Sequence, residues 1–235
     1  MVTPNPIVRR WRSEATADPE GFWAEAADQL PWFRKWDQIF QWNFPTFKWF
    51  LGAQTNMAYN CVDRHVEAGR GGHSAIAYVT ERGERTVLTY AQLLFGVKQA
   101  AAALRGMGIQ KGDRITIYMP VCPEAVILML AALRVGAIHS VVFAGFGAGA
   151  LADRIRASGS KLVFITDITY RKGTDIPLKG IVDASLETGG ESVEHVVVLD
   201  RGSGVPMTPD RDITWEEFLT RGQGQDDGYE VMESN

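Results

Sequence analysis

Only two cysteines, Cys61 and Cys122, occur in the 235 residues, and they form no C-x-x-C pair. A disulfide framework is excluded, and the expectation is two buried free thiols in a reducing, cytoplasmic setting. The four histidines, His65, His73, His139 and His195, are scattered without metal-ligand spacing, so no zinc site is expected. Neither sign of charge dominates: the formal net charge is −4 with 22% charged residues. That balance gives no electrostatic reason to expect nucleic acid or an anionic membrane as partner. Long hydrophobic runs are missing too. The most apolar stretch, 125–133, falls far short of the ~20 residues a membrane span needs, and residues 1–11 lack a signal-peptide core. No G-x-S-x-G and no P-loop is present, and no histidine is placed to serve Ser158 or Ser160, which flank a helix end. Glu124 and Asp153 read as a helix-start carboxylate and a solvated face rather than an acid/base pair.

What the chain does have is aromatic residues at its start. Six of its seven tryptophans (Trp11, Trp23, Trp32, Trp36, Trp42 and Trp49) fall in the first fifty residues, among Phe33, Phe40, Phe44, Phe47 and Phe50. Asp18-Pro19 predicts a capped helix to about residue 30. No clean period follows it, so residues 1–51 read as an irregular arm whose aromatics must be buried against a larger body.

From residue 52 the rhythm becomes regular. Met57, Cys61, Val62, His65 and Val66 form a helical stripe closed by Gly69. Residues 74–80 and 85–88 predict a hairpin around the turn 81–84. Thr89 to Gln92 is a capping box opening a helix that stops at Gly106 and Gly108. Strands at 114–119, 138–143, 161–166 and 193–199 then alternate with helices at 123–135, 150–157 and 177–186, and a short helix starts at Thr214. These short, apolar, β-branched strands predict an α/β fold, a mostly parallel sheet covered on both faces by helices.

Two local patterns carry candidate chemistry. Gly145-Phe146-Gly147-Ala148-Gly149-Ala150 follows a strand, opens a helix and fits G-x-G-x-x-A, with Asp167 about twenty residues on. That is the arrangement in which a helix N-terminus takes a pyrophosphate and an acid takes ribose hydroxyls. The same residues suit a glycine-rich turn in any parallel sheet, and taken alone they favour that plainer reading. The second pattern is Tyr170-Arg171-Lys172-Gly173, a loop just past a strand's C-terminal end on the same side. Its two cations could hold a phosphate or simply be solvated.

The order of segments is more specific than either pattern. Leu88-Thr89-Tyr90, 108–114, Ile117-Tyr118-Met119-Pro120, Pro123-Glu124-Ala125-Val126 and 134–143 resemble the AMP-forming acyl-CoA synthetases. Asp153-Arg154-Ile155, 158–163 and Ile176-Pro177-Leu178-Lys179 are similar to the acetyl- and propionyl-CoA synthetase branch. So are Trp49-Phe50-Leu51-Gly52 and 56–65 near the start. The resemblance covers roughly 20–235 and implies the large N-terminal α/β domain of adenylate-forming ligases, incomplete over 52–235 and preceded by the aromatic-rich arm 1–51. It implies a reaction in which ATP and a short carboxylic acid give an acyl-adenylate and diphosphate, after which the coenzyme A (CoA) thiol takes the acyl group. Mg²⁺ would offset the phosphate charge. It implies that Phe143, Ala144, Gly145 and Phe146 lie beside the CoA nucleotide. Arg171 matches the first of two phosphate-binding arginines. The second falls on Thr174, leaving Lys172, beside Gly173, as a substitute cation. The family's phosphate loop, magnesium segment and catalytic lysine are absent from this sequence, so the 235-residue polypeptide is expected to do no adenylation by itself. The rivals are an NAD(P)-dependent oxidoreductase built on 145–150, which would enhance NADH fluorescence, and a non-enzymatic binding module.

Overall fold

The structure, a computed structural model, describes residues 5–234. The chain divides into two compact units, one reaching to Asn56 and taking in the residues from Val231 onward, the other Met57–Glu230.

In the first unit α1 (Pro6–Ala17) starts at Asn5, whose side chain accepts from the Ile7 N–H at 2.9 Å, with proline at the first helical position. Asp18 caps α2 (Pro19–Ala27) in the same way, accepting from Gly21 N–H at 3.0 Å. β1 (Gln38–Asn43) and β2 (Thr46–Leu51) then form an antiparallel hairpin, and β3 (Gln54–Thr55) pairs with Met232–Glu233. The expectation of an irregular segment is corrected here, because residues 38–51 form a regular hairpin. Phe40 stands opposite Trp49 and Trp42 opposite Phe47 across the hairpin, with ring centroids 4.5 and 6.2 Å apart. These aromatics cover one another, each such pair worth about 0.5–1.5 kcal/mol. Trp42 is 63% exposed and Phe44 81%.

The second unit opens with a helical segment in which two stretches, Tyr59–Asp63 and Val66–Arg70, have wide π-type turns. The plain helix expected there is therefore distorted, and Gly69 ends it with φ +77°. β4 (Ser74–Val79) and β5 (Arg85–Thr89) form the expected hairpin. Thr89 and Gln92 make the reciprocal cap of α3 (Tyr90–Gly106). Next come β6 (Arg114–Tyr118), α4 (Pro123–Arg134), β7 (Ile138–Val141), α5 (Ala148–Ser158) and β8 (Leu162–Thr166). They are followed by β9 (Ile168–Arg171), β10 (Thr174–Pro177), α6 (Lys179–Gly189), β11 (His195–Leu199), β12 (Asp212–Thr214) and α7 (Trp215–Thr220).

The main sheet runs β12-β11-β8-β6-β7, all parallel. Counted in chain order this is 2-1-3-4-5, a doubly wound order whose direction reverses beside the first strand, β6. Alternation along each strand feeds two cores. Ile115, Ile117, Leu162, Phe164 and Val197 pack with α3, α4 and α7. Tyr118, Val163, Ile165, Val196 and Val198 pack with Leu151 and Ile155 of α5 and Val182 of α6. Both faces of β8 are buried throughout, as a continuously apolar strand requires. β7 is the exception: it is the sheet's edge, and Ile138 and Val141 are more than half exposed. Among the polar groups inside, Thr116 and Ser160 share a hydroxyl contact of 2.8 Å, and Ser158 meets Ser160 at 2.7 Å. The two serines thus sit in a structural hydroxyl chain.

Cys122 is buried as expected, and burial pushes its thiol up to about 12. Cys61 is corrected: it is exposed. Among the described residues no helix is long and apolar enough to cross a membrane.

Candidate functional site

Open parallel sheets offer ligands the crevice beyond the carboxyl ends of their strands, where the winding direction reverses. Two segments converge there. One is the turn after β7, containing Phe143, Ala144, Gly145 and Phe146. The other is the hairpin after β8, carrying Arg171 and Thr174.

The turn is anchored from beneath. The Tyr118 hydroxyl, at the end of β6, donates to the Phe146 carbonyl at 2.6 Å, and Ala144 is buried. Inside the turn, Gly145 N–H and Phe146 N–H both point to the Phe143 carbonyl, at 2.7 and 3.0 Å. The aromatic side chains are thereby left outward. Phe143 is 59% exposed and meets Phe146 edge to face at 5.9 Å. Gly145 lets the two side chains close over the turn: a Cβ there would stand 2.4 Å from the Phe143 ring and 2.7 Å from Arg171 Nη1, so both would have to shift. Gly147 is the N-cap of α5, and no side chain caps that helix.

The sequence predicts a loop at Arg171, and this is corrected. Arg171 is the last residue of β9, and β9 and β10 form a hairpin. Lys172 and Gly173 are its two turn residues with φ of 49° and 84°, the positive pair that a type I′ turn needs. Arg171 and Thr174 face each other across the turn. The Arg171 guanidinium lies 5.4 Å from the Phe143 ring centroid. Residues from two separated segments therefore meet in space: Phe143, Gly145 and Arg171 form one cluster, with Thr174 in the position next to the cation.

The hairpin's other face is held by Arg82 in the β4–β5 turn. Its guanidinium forks onto the Asp175 carboxylate at 2.8 and 3.1 Å and lies 4.8 Å from the Tyr170 ring centroid. Both partners are about half exposed, so the pair contributes at most ~1 kcal/mol. Arg82→Ala is accordingly expected to speed hydrogen exchange of the β9 and β10 amides up to about fivefold while leaving those of β6 and β8 unchanged. Uniform protection across the hairpin and the sheet would show that Arg82 does not hold it.

Asp167, the acid of the dinucleotide pattern, is committed to other partners. It is buried at the end of β8 and accepts from the backbone N–H groups of Ile168 and Arg201 at 2.8 Å. Ser203 N–H and hydroxyl add bonds at 3.0 and 2.8 Å. All of its strong acceptor positions are committed inside the protein, so the ribose-binding role has no free oxygen behind it. Among the described residues no group of three or more His, Cys, Asp or Glu side chains could hold a metal ion.

The fold and this edge cluster define the class: an open, doubly wound α/β protein with an arginine–aromatic site at the carboxyl ends of its strands. Residues 63–221 match the family described as AMP-binding enzyme, and residues 8–61 match the acetyl-coenzyme A synthetase N-terminus. The acetyl-coenzyme A synthetase of Deinococcus radiodurans is 44% identical over 220 residues, covering 92% of this chain and 33% of that protein. That of Streptomyces coelicolor is 48% identical over 208 residues, with 88% and 32% covered. The 3-hydroxypropionyl-coenzyme A synthetase of Sulfurisphaera tokodaii is 46% identical over 205 residues, with 85% and 31% covered. The structure of an acetoacetyl-CoA synthetase from Streptomyces lividans superimposes with a TM-score of 0.82 at 24% identity, over 95% of this chain and 34% of that one, which shows the shared fold. The chain belongs to the AMP-binding enzyme family, and it spans about a third of the length of the curated relatives it matches.

Proposed function

We propose that this chain is the coenzyme A-side scaffold of a cytoplasmic short-chain acid–CoA ligase. In that reaction ATP and a short carboxylic acid form an acyl-adenylate and diphosphate, and the coenzyme A thiol displaces AMP. The division is chemically sensible because a carboxylate has no leaving group until AMP is attached. Magnesium would accompany the ATP phosphates and offset their charge. The names of the relatives support acetate or a similar small acid as the substrate class. Free thiols suit a reducing compartment.

The observation that carries the reading is Arg171 lying against Phe143 over a glycine that no other residue can replace without displacing it. A guanidinium without a carboxylate partner among the described residues, beside an exposed aromatic ring, suits a phosphate and its attached nucleotide. Phe143, Ala144, Gly145 and Phe146 would line the nucleotide, and Arg171 would fork onto a phosphate. Lys172, Gly173 and Thr174 would form the rim, with Lys172 adding a point charge.

Calorimetric titration of the chain with coenzyme A tests this. Arg171→Ala is expected to weaken binding about tenfold or more, the size of a lost charge-assisted hydrogen bond. Thr174→Arg, which places a second guanidinium next to the first, is expected to tighten it several-fold. Equal affinity in wild type and both variants would overturn the assignment.

A further inference from the structure

The glycine turn has a second cation that the sequence patterns do not single out. Arg154, in the second turn of α5, lies with its guanidinium 4.6 Å from the Phe146 ring centroid. Its Nη1 donates to the Ala150 carbonyl at 2.8 Å. That bond uses one of five donors and fixes the side chain along its own helix. Among the described residues neither Arg154 nor Arg171 has a carboxylate partner. Asp153, the adjacent acid, is taken by Arg156 at 3.2 Å. Two uncompensated guanidiniums thus each cover a different ring of one edge-to-face phenylalanine pair, Arg171 on Phe143 and Arg154 on Phe146.

From this the geometry points to Arg154 as a second phosphate-binding residue, serving a different phosphate of the ligand from the one Arg171 takes. The inference rests on the reading of this flank as a coenzyme A nucleotide site. That nucleotide carries a 3′-phosphate and a 5′-diphosphate, two anionic centres on one ribose, so two separated cations match it better than one. Thr174 has no charge, so the hairpin supplies one guanidinium, and α5 supplies the other from the far side of the turn. The two rings hold both side chains without neutralising them, since an aromatic face attracts a cation yet leaves its N–H edge free for an oxyanion. A Cβ at Gly147 would meet nothing within 4 Å, so the space over it is open, while the bare Gly145 lets the Phe143 ring and Arg171 lie against the turn.

The test compares coenzyme A with its 3′-dephospho form on the full chain and on Arg154→Ala, Arg154→Lys and Arg171→Ala. Circular dichroism melts serve as a check that each variant is folded. Arg154→Ala is expected to weaken coenzyme A binding about five- to tenfold, and Arg154→Lys to recover part of that, because lysine keeps the charge but loses the fork. With dephospho-coenzyme A, one of the two alanine variants is expected to become silent while the other keeps its effect. Which one falls silent assigns the 3′-phosphate. If Arg171→Ala weakens binding while folded Arg154→Ala binds like wild type, Arg154 is no ligand residue and the nucleotide flank stands without it. If both variants lose the same factor on both ligands, the arginines share one phosphate and the separate-phosphate assignment is wrong. If wild type binds neither form, the flank reading itself fails, and the role of Arg154 with it.

Discussion

Arg134→Ala is expected to cost about 3–5 kcal/mol of stability, enough to remove much of what holds a domain of this size folded. Arg134 is 2% exposed and Asp63 6%. The guanidinium holds both carboxylate oxygens at 2.9 and 2.8 Å, donates its Nε–H to the Asp227 carbonyl at 2.7 Å, and lies 5.5 Å from the Tyr229 ring centroid. Removing it strands a carboxylate in the interior, and that uncompensated charge, more than the lost attraction, sets the cost. The double variant Arg134→Met with Asp63→Leu is therefore expected to recover most of the loss, because it removes both charges together. Urea melts of the three proteins check this. A single variant within about 1 kcal/mol of wild type would mean that water reaches Asp63. The residues joined by this bridge are the end of α4, the π-turned segment before β4, and the stretch 227–229. It ties the start of the second unit to its end.

Asp167→Ala comes next, with an expected loss of about 2–4 kcal/mol, because it orphans the Arg201 and Ser203 N–H groups that the carboxylate accepts. The same residue predicts acid sensitivity. Burial alone pushes this carboxyl up, but the bonds from Ser203 and Arg201 outweigh burial and hold it below the usual carboxylate range. A group whose folded value is depressed contributes stability above its unfolded value near 4, and that stability is lost as pH falls through the folded value. Wild type is thus expected to lose stability as pH drops below about 4, with a shallower slope in Asp167→Ala. Asp212 adds to the same trend. Burial opposes ionisation there too, yet the Arg211 and Lys179 side chains, at 2.6 and 2.8 Å, keep its carboxyl low. Denaturant melts between about pH 3 and 7 read both. A variant as stable as wild type would leave Asp167 free to meet a ligand, which a ribose-binding role requires.

Several features of the fold are legible from residue order alone. The capping box at Thr89, the Asp18-Pro19 helix start and the β–α alternation from 114 to 199 are all signals within one turn or one strand, so sequence suffices for them. The β1–β2 hairpin is also present as a period of two, in Phe40, Trp42, Phe47 and Trp49, but the richness of aromatics hides it. The Lys172-Gly173 turn carries a hairpin signal as well. Flanked by strands of four residues each, it is short enough to pass for a loop. Arg154 stands only inside the Asp153-Arg154-Ile155 resemblance and in neither local chemical pattern, since its distinguishing feature is a contact with the ring of Phe146, which lies in the turn before α5.

The sequence by itself determined the elements, their caps and the parallel character of the sheet, because helix ends, turn glycines and buried strands depend on neighbours within a few positions. It also supplied the ordered segments by which the family is known. Only the tertiary structure decided what those elements do together. The strand order 2-1-3-4-5 places the ends of β7 and β8 on either side of β6, and that placement lays Arg171 over Phe143. The same folding withdrew Asp167 into backbone hydrogen bonds and left Cys61 in solvent. Burial and encounter between distant segments are properties of packing, summed over contacts that no local pattern encodes.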